Sequence, residues 1–211
     1  MADVKICGLS QPAHVTAAVQ AGARYLGLVF FSRSPRAVTP AEAAALTADV
    51  PVGVARVGLF VDPDDALITA TLAEVPLDIV QLHGHETPER VAALRTLTGL
   101  PVMKAVGIAS VEDLPQLTDY GLVADMLLVD AKPAPDAALP GGNGLSFDWR
   151  LLQGRRWPRP WMLAGGLTPA NVAEAVRLTR APVVDVSSGV ETAPGVKDAA
   201  LIRDFVAAAA G

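Results

Sequence analysis

A closed (β/α)8 barrel, the TIM barrel, is the fold class this 211-residue sequence predicts, and three observations carry that prediction. Short apolar runs alternate with helix-like stretches about eight times along the chain. The runs are nearly continuous in valine, leucine, isoleucine and alanine, as expected of parallel strands covered on both faces. Polar residues gather at the ends of those runs, the rim on which barrels assemble their sites. Eight units in little over 200 residues lie near the lower size limit of the fold, and the expectation is one domain over residues 1–211.

The first strand ends in Lys5-Ile6-Cys7-Gly8. Ser10-Gln11-Pro12 supplies a cap and a first-turn proline for an alanine-rich helix reaching about Gly22. Tyr25 to Phe30 is the second strand, and Phe31 to Val38, with Ser32, Arg33, Ser34, Pro35 and Arg36, is loop chemistry. Thr39-Pro40 opens a helix to about Ala48. Further strands are expected at Val54 to Val61, Ile79 to His83, Val102 to Val106, Met126 to Asp130, Met162 to Ala164 and Val183 to Val186. Helices are expected over 63–74, 87–98, 110–119, a short one from Phe147, 169–179 and 197–209. Lys132 to Ser146, rich in proline and glycine, is long for a βα connection and reads as an active-site loop. The alternative is a doubly wound open sheet, with a boundary near Gly141-Gly142, but the same strand-helix rhythm flanks that loop on both sides.

No apolar run reaches the roughly 18 residues of a membrane span. The opening Met-Ala-Asp-Val-Lys runs into a strand without a signal-like pattern, and one cysteine forms no internal disulfide, so the expected location is the cytoplasm. A net charge of −5 provides no field for polyanions, which argues against nucleic acid as a partner.

In a strand, alternate side chains share a face, so Lys5 and Cys7 point inward together. Taken alone, Cys7 is either a small buried hydrophobe or a reactive thiol whose thiolate the neighbouring cation favours. Asp130 caps a loop, pairs with Lys132 or serves a site. Arg36 is either a solvated loop charge or an anion ligand. His83 and His85 form a His-x-His pair, but zinc needs three or four ligands and no further His or Cys cluster lies nearby, so a metal site is not expected. Gly165 and Gly166 follow strand seven, and Ser188-Gly189 follows strand eight. Loops at those two positions often hold a phosphate through accessible backbone N–H groups. Gly142 and Gly144 add a third glycine-rich loop on the same rim.

Taken together, Lys5-Ile6-Cys7-Gly8, Ser34-Pro35-Arg36, Gln81-Leu82-His83-Gly84, Leu128-Val129-Asp130, Gly142-x-Gly144 before Phe147-Asp148-Trp149, Leu163-Ala164-Gly165-Gly166-Leu167 and Asp185 through Glu191 resemble the phosphoribosylanthranilate isomerase family of tryptophan biosynthesis, in order and over the whole chain. His85, Ser32-Arg33 and Val196 depart from the family's usual pattern.

The resemblance implies a cofactor-free Amadori rearrangement of a small phosphosugar by a monomer or homodimer. It makes Asp130 the general acid and Cys7 the general base. It makes Lys5, Arg36, Gln81, His83 and Asp185 substrate-binding, with Arg36 on the anthranilate carboxylate, and Gly142, Gly144, Gly165, Gly166, Ser188 and Gly189 phosphate-binding. An aspartate of ordinary pKa, about 3.9, is ionised at pH 7, so the acid role requires burial, and the base role requires the opposite shift at Cys7. Another phosphosugar barrel enzyme, or a phosphate sensor on the same scaffold, are the competing readings. The sensor has no need of Cys7 and Asp130.

Overall fold

The computed structural model describes residues 1–133, 139, 141–142 and 144–211. Eight parallel strands close on themselves in chain order: β1 (Asp3–Cys7), β2 (Tyr25–Val29), β3 (Ala55–Phe60), β4 (Ile79–Leu82), β5 (Val102–Ile108), β6 (Met126–Ala131), β7 (Trp161–Leu163) and β8 (Val183–Val186). Closure is made by β1, which pairs with β2 on one side and β8 on the other, placing Lys5 opposite both Tyr25 and Asp185.

Around the barrel lie α1 (Pro12–Ala21), α2 (Pro40–Thr47), α3 (Asp65–Glu74), α4 (Pro88–Thr98), α5 (Pro115–Val123), α6 (Val172–Thr179) and α7 (Ala199–Ala210). Their starts follow from local chemistry. Pro12, Pro40, Pro88 and Pro115 occupy the first turn, where a missing N–H costs nothing. Thr39 and Glu42 form a reciprocal capping box, and Asp64, Thr87 and Asp198 accept first-turn N–H bonds, each cap contributing about 1 kcal/mol. Gly22 and Gly99 end their helices in the left-handed conformation.

The strand period of two separates two cores. Val57, Ile79, Met103, Ala105, Leu128, Met162, Ala164 and Val183 fill the barrel interior. Neighbours such as Leu28, Phe60, Val80, Leu82, Val129 and Val184 pack outward among the helices. Above the interior, Cys7, Val29 and Leu59 form a small third cluster against Phe31 and Val61 at the C-terminal rim.

The expected barrel is therefore present, with local differences. The stretch 110–119 breaks into a 3-10 turn, Val111–Asp113, followed by α5, because Pro115 restarts the helix at its own first position. The short helix expected from Phe147 is a 3-10 turn over Trp149–Leu152, capped by Asp148. A hairpin of β9 (Glu191–Ala193) and β10 (Val196–Lys197) replaces the expected start of the last helix at residue 197. The Lys132 to Ser146 loop is described in part: Pro135, Pro140 and the residue between Gly142 and Gly144 lie outside the described residues.

Candidate active site

Two adjoining recesses open at the C-terminal rim. One is largely apolar, lined by Cys7, Val29, Phe31, Leu59 and Val61, with Arg36, His83, Asp130 and Asp185 at its polar edge. The other is lined by glycine and small polar groups, including Gly142, Gly144, Gly165, Gly166, Ser188 and Gly189. Asp130, Asp185 and Ser187 border both.

Cys7 ends β1 and is buried. Its neighbour across the ladder is Gly27, and a Cβ built there would lie 2.9 Å from the Cys7 sulfur, so glycine leaves the thiol its space. Lys5, fully buried one step below, gives its Nζ to Asp185 Oδ1 at 2.8 Å. Burial pulls the Lys5 ammonium down, but the charges of Asp185 and Cys7 outweigh it and leave its pKa above the ordinary value. The thiol goes the other way from the expected thiolate. Burial pushes the Cys7 pKa up, Asp185 adds to that, and the cations Lys5 and Lys197 offset only part of it. With the Lys5 ammonium engaged by Asp185, the free site favours the thiol.

Asp130, at the top of β6, is buried and faces His83 rather than Lys132: its Oδ2 lies 3.2 Å from His83 Nε2, while Lys132 pairs with Asp113 at 2.6 Å. Asp130 Oδ1 accepts the N–H of Ala131 at 2.8 Å. Gln81, fully buried on β4, places its amide nitrogen 3.0 Å from His83 Nδ1. His85 turns away, exposed, to Asp62 at 3.2 Å, so the two histidines do not converge. The left-handed Gly165 is needed beside this carboxylate, since a Cβ there would stand 2.8 Å from the Ala131 nitrogen.

Arg36 is buried rather than solvated. Its Nε and Nη2 bond both oxygens of Glu191 at 2.7 and 2.8 Å, and Lys197 Nζ joins Glu191 at 2.6 Å. Glu191 and Lys197 are site residues that sequence reasoning missed. The only signals for them were charged residues flanking a Pro-Gly turn. Of the residues expected to bind substrate, Arg36, His83 and Asp185 reach the recesses, whereas Lys5 and Gln81 sit one layer beneath. All six expected phosphate-binding residues share the polar recess. Among the described residues, neither Gly165 nor Gly166 gives its N–H to a turn or loop acceptor, so both remain available as donors.

A thiol and a carboxyl facing one apolar recess can move protons on a small molecule, and a guanidinium and a glycine cradle beside them have the chemistry to receive anionic groups. This defines a (β/α)8-barrel enzyme acting on a small anionic substrate. The model of the N-(5'phosphoribosyl)anthranilate (PRA) isomerase family matches residues 4–208. The chain is 69% identical to the N-(5'-phosphoribosyl)anthranilate isomerase of Paracoccus denitrificans, over 98% of this chain and 96% of that one. It superposes with a TM-score of 0.86 on a phosphoribosyl anthranilate isomerase in complex with reduced 1-(o-carboxyphenylamino)-1-deoxyribulose 5-phosphate, at 35% identity over the full length of both chains. A TM-score of 0.86 also relates it to monomers generated from the dimeric Thermotoga maritima enzyme, at 36% identity and full coverage of both. The chain belongs to the phosphoribosylanthranilate isomerase family. Its reaction is the Amadori rearrangement of N-(5-phosphoribosyl)anthranilate to 1-(2-carboxyphenylamino)-1-deoxyribulose 5-phosphate, in tryptophan biosynthesis.

Proposed function

We propose that Cys7 and Asp130 divide the proton transfers of this rearrangement, within one barrel domain spanning residues 1–211. Asp130 gives its proton to the furanose ring oxygen as the C1′–O bond breaks, and the anthranilate nitrogen lone pair forms the iminium. The Cys7 thiolate then takes the C2′ proton. The C2′–H electrons become the C1′=C2′ bond, and the C=N π electrons return to nitrogen. The resulting enolamine tautomerises to the ketone. The observation that carries this reading is that Cys7 and Asp130 line the same apolar recess, which suits the aryl group and excludes water from the reacting carbons.

In the same reading Arg36 holds the anthranilate carboxylate, and Gly142, Gly144, Gly165, Gly166, Ser188 and Gly189 hold the phosphate through backbone and hydroxyl donors. Anchoring both ends leaves C2′ between acid and base. His83 and Asp185 border the sugar, while Gln81 and Lys5 orient them through the 3.0 and 2.8 Å contacts beneath. No described helix is long and apolar enough to cross a membrane. We place the enzyme in the cytoplasm, as a monomer or homodimer with no nucleic-acid partner.

Purified protein mixed with freshly made N-(5-phosphoribosyl)anthranilate should abolish the substrate's fluorescence. Cys7→Ala and Asp130→Asn should still bind the product analogue but turn over at least about 10²-fold more slowly. Full turnover by either variant would remove that residue from the mechanism.

A further inference from the structure

The Arg36 guanidinium offers five N–H donors along two forked edges. Glu191 occupies the Nε–Nη2 edge completely. Among the described residues the Nη1–Nη2 edge meets only the Gly142 carbonyl, 3.4 Å from Nη2, and no acceptor bonds Nη1. Glu191 therefore fixes the orientation of the guanidinium and leaves its Nη1 side toward Gly142, which lines the same apolar recess.

The pairing has an electrostatic consequence. An arginine bound bidentately by a buried carboxylate is a neutral unit with little attraction for a second carboxylate. Here a third charge is built in. Lys197 is fully buried on β10, and its Nζ donates to Glu191 at 2.6 Å, to the Ser187 carbonyl at 3.0 Å and to the Ser187 hydroxyl at 3.2 Å. Three acceptors match the three donors of an ammonium, whereas a neutral amine has two. Burial outweighs Glu191 and leaves the Lys197 pKa below its ordinary value, while Arg36 and Lys197 together hold Glu191 below the ordinary carboxylate range despite its own burial. Two cations face one anion, and the set carries one net positive charge.

Glycines make this assembly possible. The Arg36 side chain passes so close to left-handed Gly8 that a Cβ there would lie 2.5 Å from its Cδ. The turn of the β9–β10 hairpin rests on the same loop, where a Cβ on Gly195 would come within 2.6 Å of the Pro35 carbonyl.

We propose that Glu191 and Lys197 are positioning residues for Arg36: Glu191 aims its free edge into the recess, and Lys197 restores the positive charge that Glu191 would cancel. The inference rests on Arg36 binding the substrate carboxylate. It assigns the hairpin a role in substrate selection that neither Cys7 nor Asp130 supplies.

The test compares N-(5-phosphoribosyl)anthranilate with N-(5-phosphoribosyl)aniline, which lacks the carboxylate. Lys197→Met should lose roughly 10- to 100-fold more kcat/KM on the first than on the second, the range of one charged hydrogen bond. Adding Glu191→Gln to Lys197→Met restores the net positive charge and should recover part of that loss. Equal losses on both substrates, or a double variant no better than Lys197→Met, would overturn the proposal. If Lys197→Met does not fold, the double variant, which keeps one net positive charge on Arg36, should discriminate between the substrates less than wild type and more than Arg36→Met. Wild-type discrimination would then be the overturning result. Equal losses in Arg36→Met would instead sink the Arg36 assignment itself.

Discussion

Gly27 stands directly opposite Cys7 across the β1–β2 ladder, and the space a β-carbon would need is filled by the Cys7 sulfur, 2.9 Å away. The thiol is thus held by a neighbour that has no side chain. Gly27→Ala should push the sulfur out of line with C2′, and a displacement near 1 Å costs roughly 10²-fold in rate. Overpacking should also cost about 1–3 kcal/mol of stability. Circular dichroism and a thermal melt check the fold, and wild-type kcat in a folded Gly27→Ala protein would show that the packing does not place the base.

The raised Cys7 pKa has a direct kinetic signature. The free enzyme holds mostly thiol at neutral pH, and only the thiolate accepts a proton. Accordingly the rate of Cys7 alkylation by iodoacetamide, which follows the thiolate alone, should still be climbing at pH 9, the ordinary thiol value from which burial raises it. A plateau reached below pH 8 would mean that the cations win over burial.

Lys5 and Asp185 form a buried pair, and removing one partner of such a pair costs about 3–5 kcal/mol. Asp185→Asn should therefore lower the melting temperature markedly and leave Lys5 as an unpaired buried cation. The sign of the pH dependence follows from a folded pKa above the unfolded value. The stabilisation is complete below pH 10.5 and is lost as pH rises beyond that through the folded pKa. Wild type itself should lose stability as pH rises through that alkaline window, and an alkaline loss that is already complete by pH 8 would show another group in control.

The glycine cradle tolerates little. A Cβ on Gly166 would sit 2.8 Å from the Leu145 carbonyl, and one on Gly189 would run into the Leu167 carbonyl, so valine at either position disturbs the loop as well as the donors. Ser188→Ala is the cleaner probe. It should raise KM by roughly five- to tenfold through the loss of one hydroxyl bond, and weaken inhibition by inorganic phosphate in parallel. Unchanged phosphate inhibition would take Ser188 out of the cradle.

The barrel and its rim were legible in the sequence because both rest on local periodicity. Buried strands such as Leu26 to Val29 read as apolar runs, and Thr39-Pro40 and Thr87-Pro88 announce their helices. The partners of the site residues were not legible, because they depend on closure. Nothing in Ser34-Pro35-Arg36 indicates that a carboxylate 155 positions away will take its guanidinium. Nor does Glu191 to Lys197 indicate that its short hairpin buries both charges. The sign at Cys7 was missed for a related reason: the nearby cation is visible in Lys5-Ile6-Cys7, whereas the depth of burial and the competing claim of Asp185 are properties of the closed barrel.

If Cys7 and Asp130 act in separate steps, the C2′-deuterium isotope effect on kcat distinguishes them. In Cys7→Ser, whose hydroxyl is a far poorer base, proton abstraction should limit the rate and the effect should be at least as large as in wild type. In Asp130→Asn, ring opening should become limiting and the effect should shrink toward one. The reverse pattern, a vanishing effect in Cys7→Ser and a large one in Asp130→Asn, would mean that Cys7 is not the base and send the search for it elsewhere.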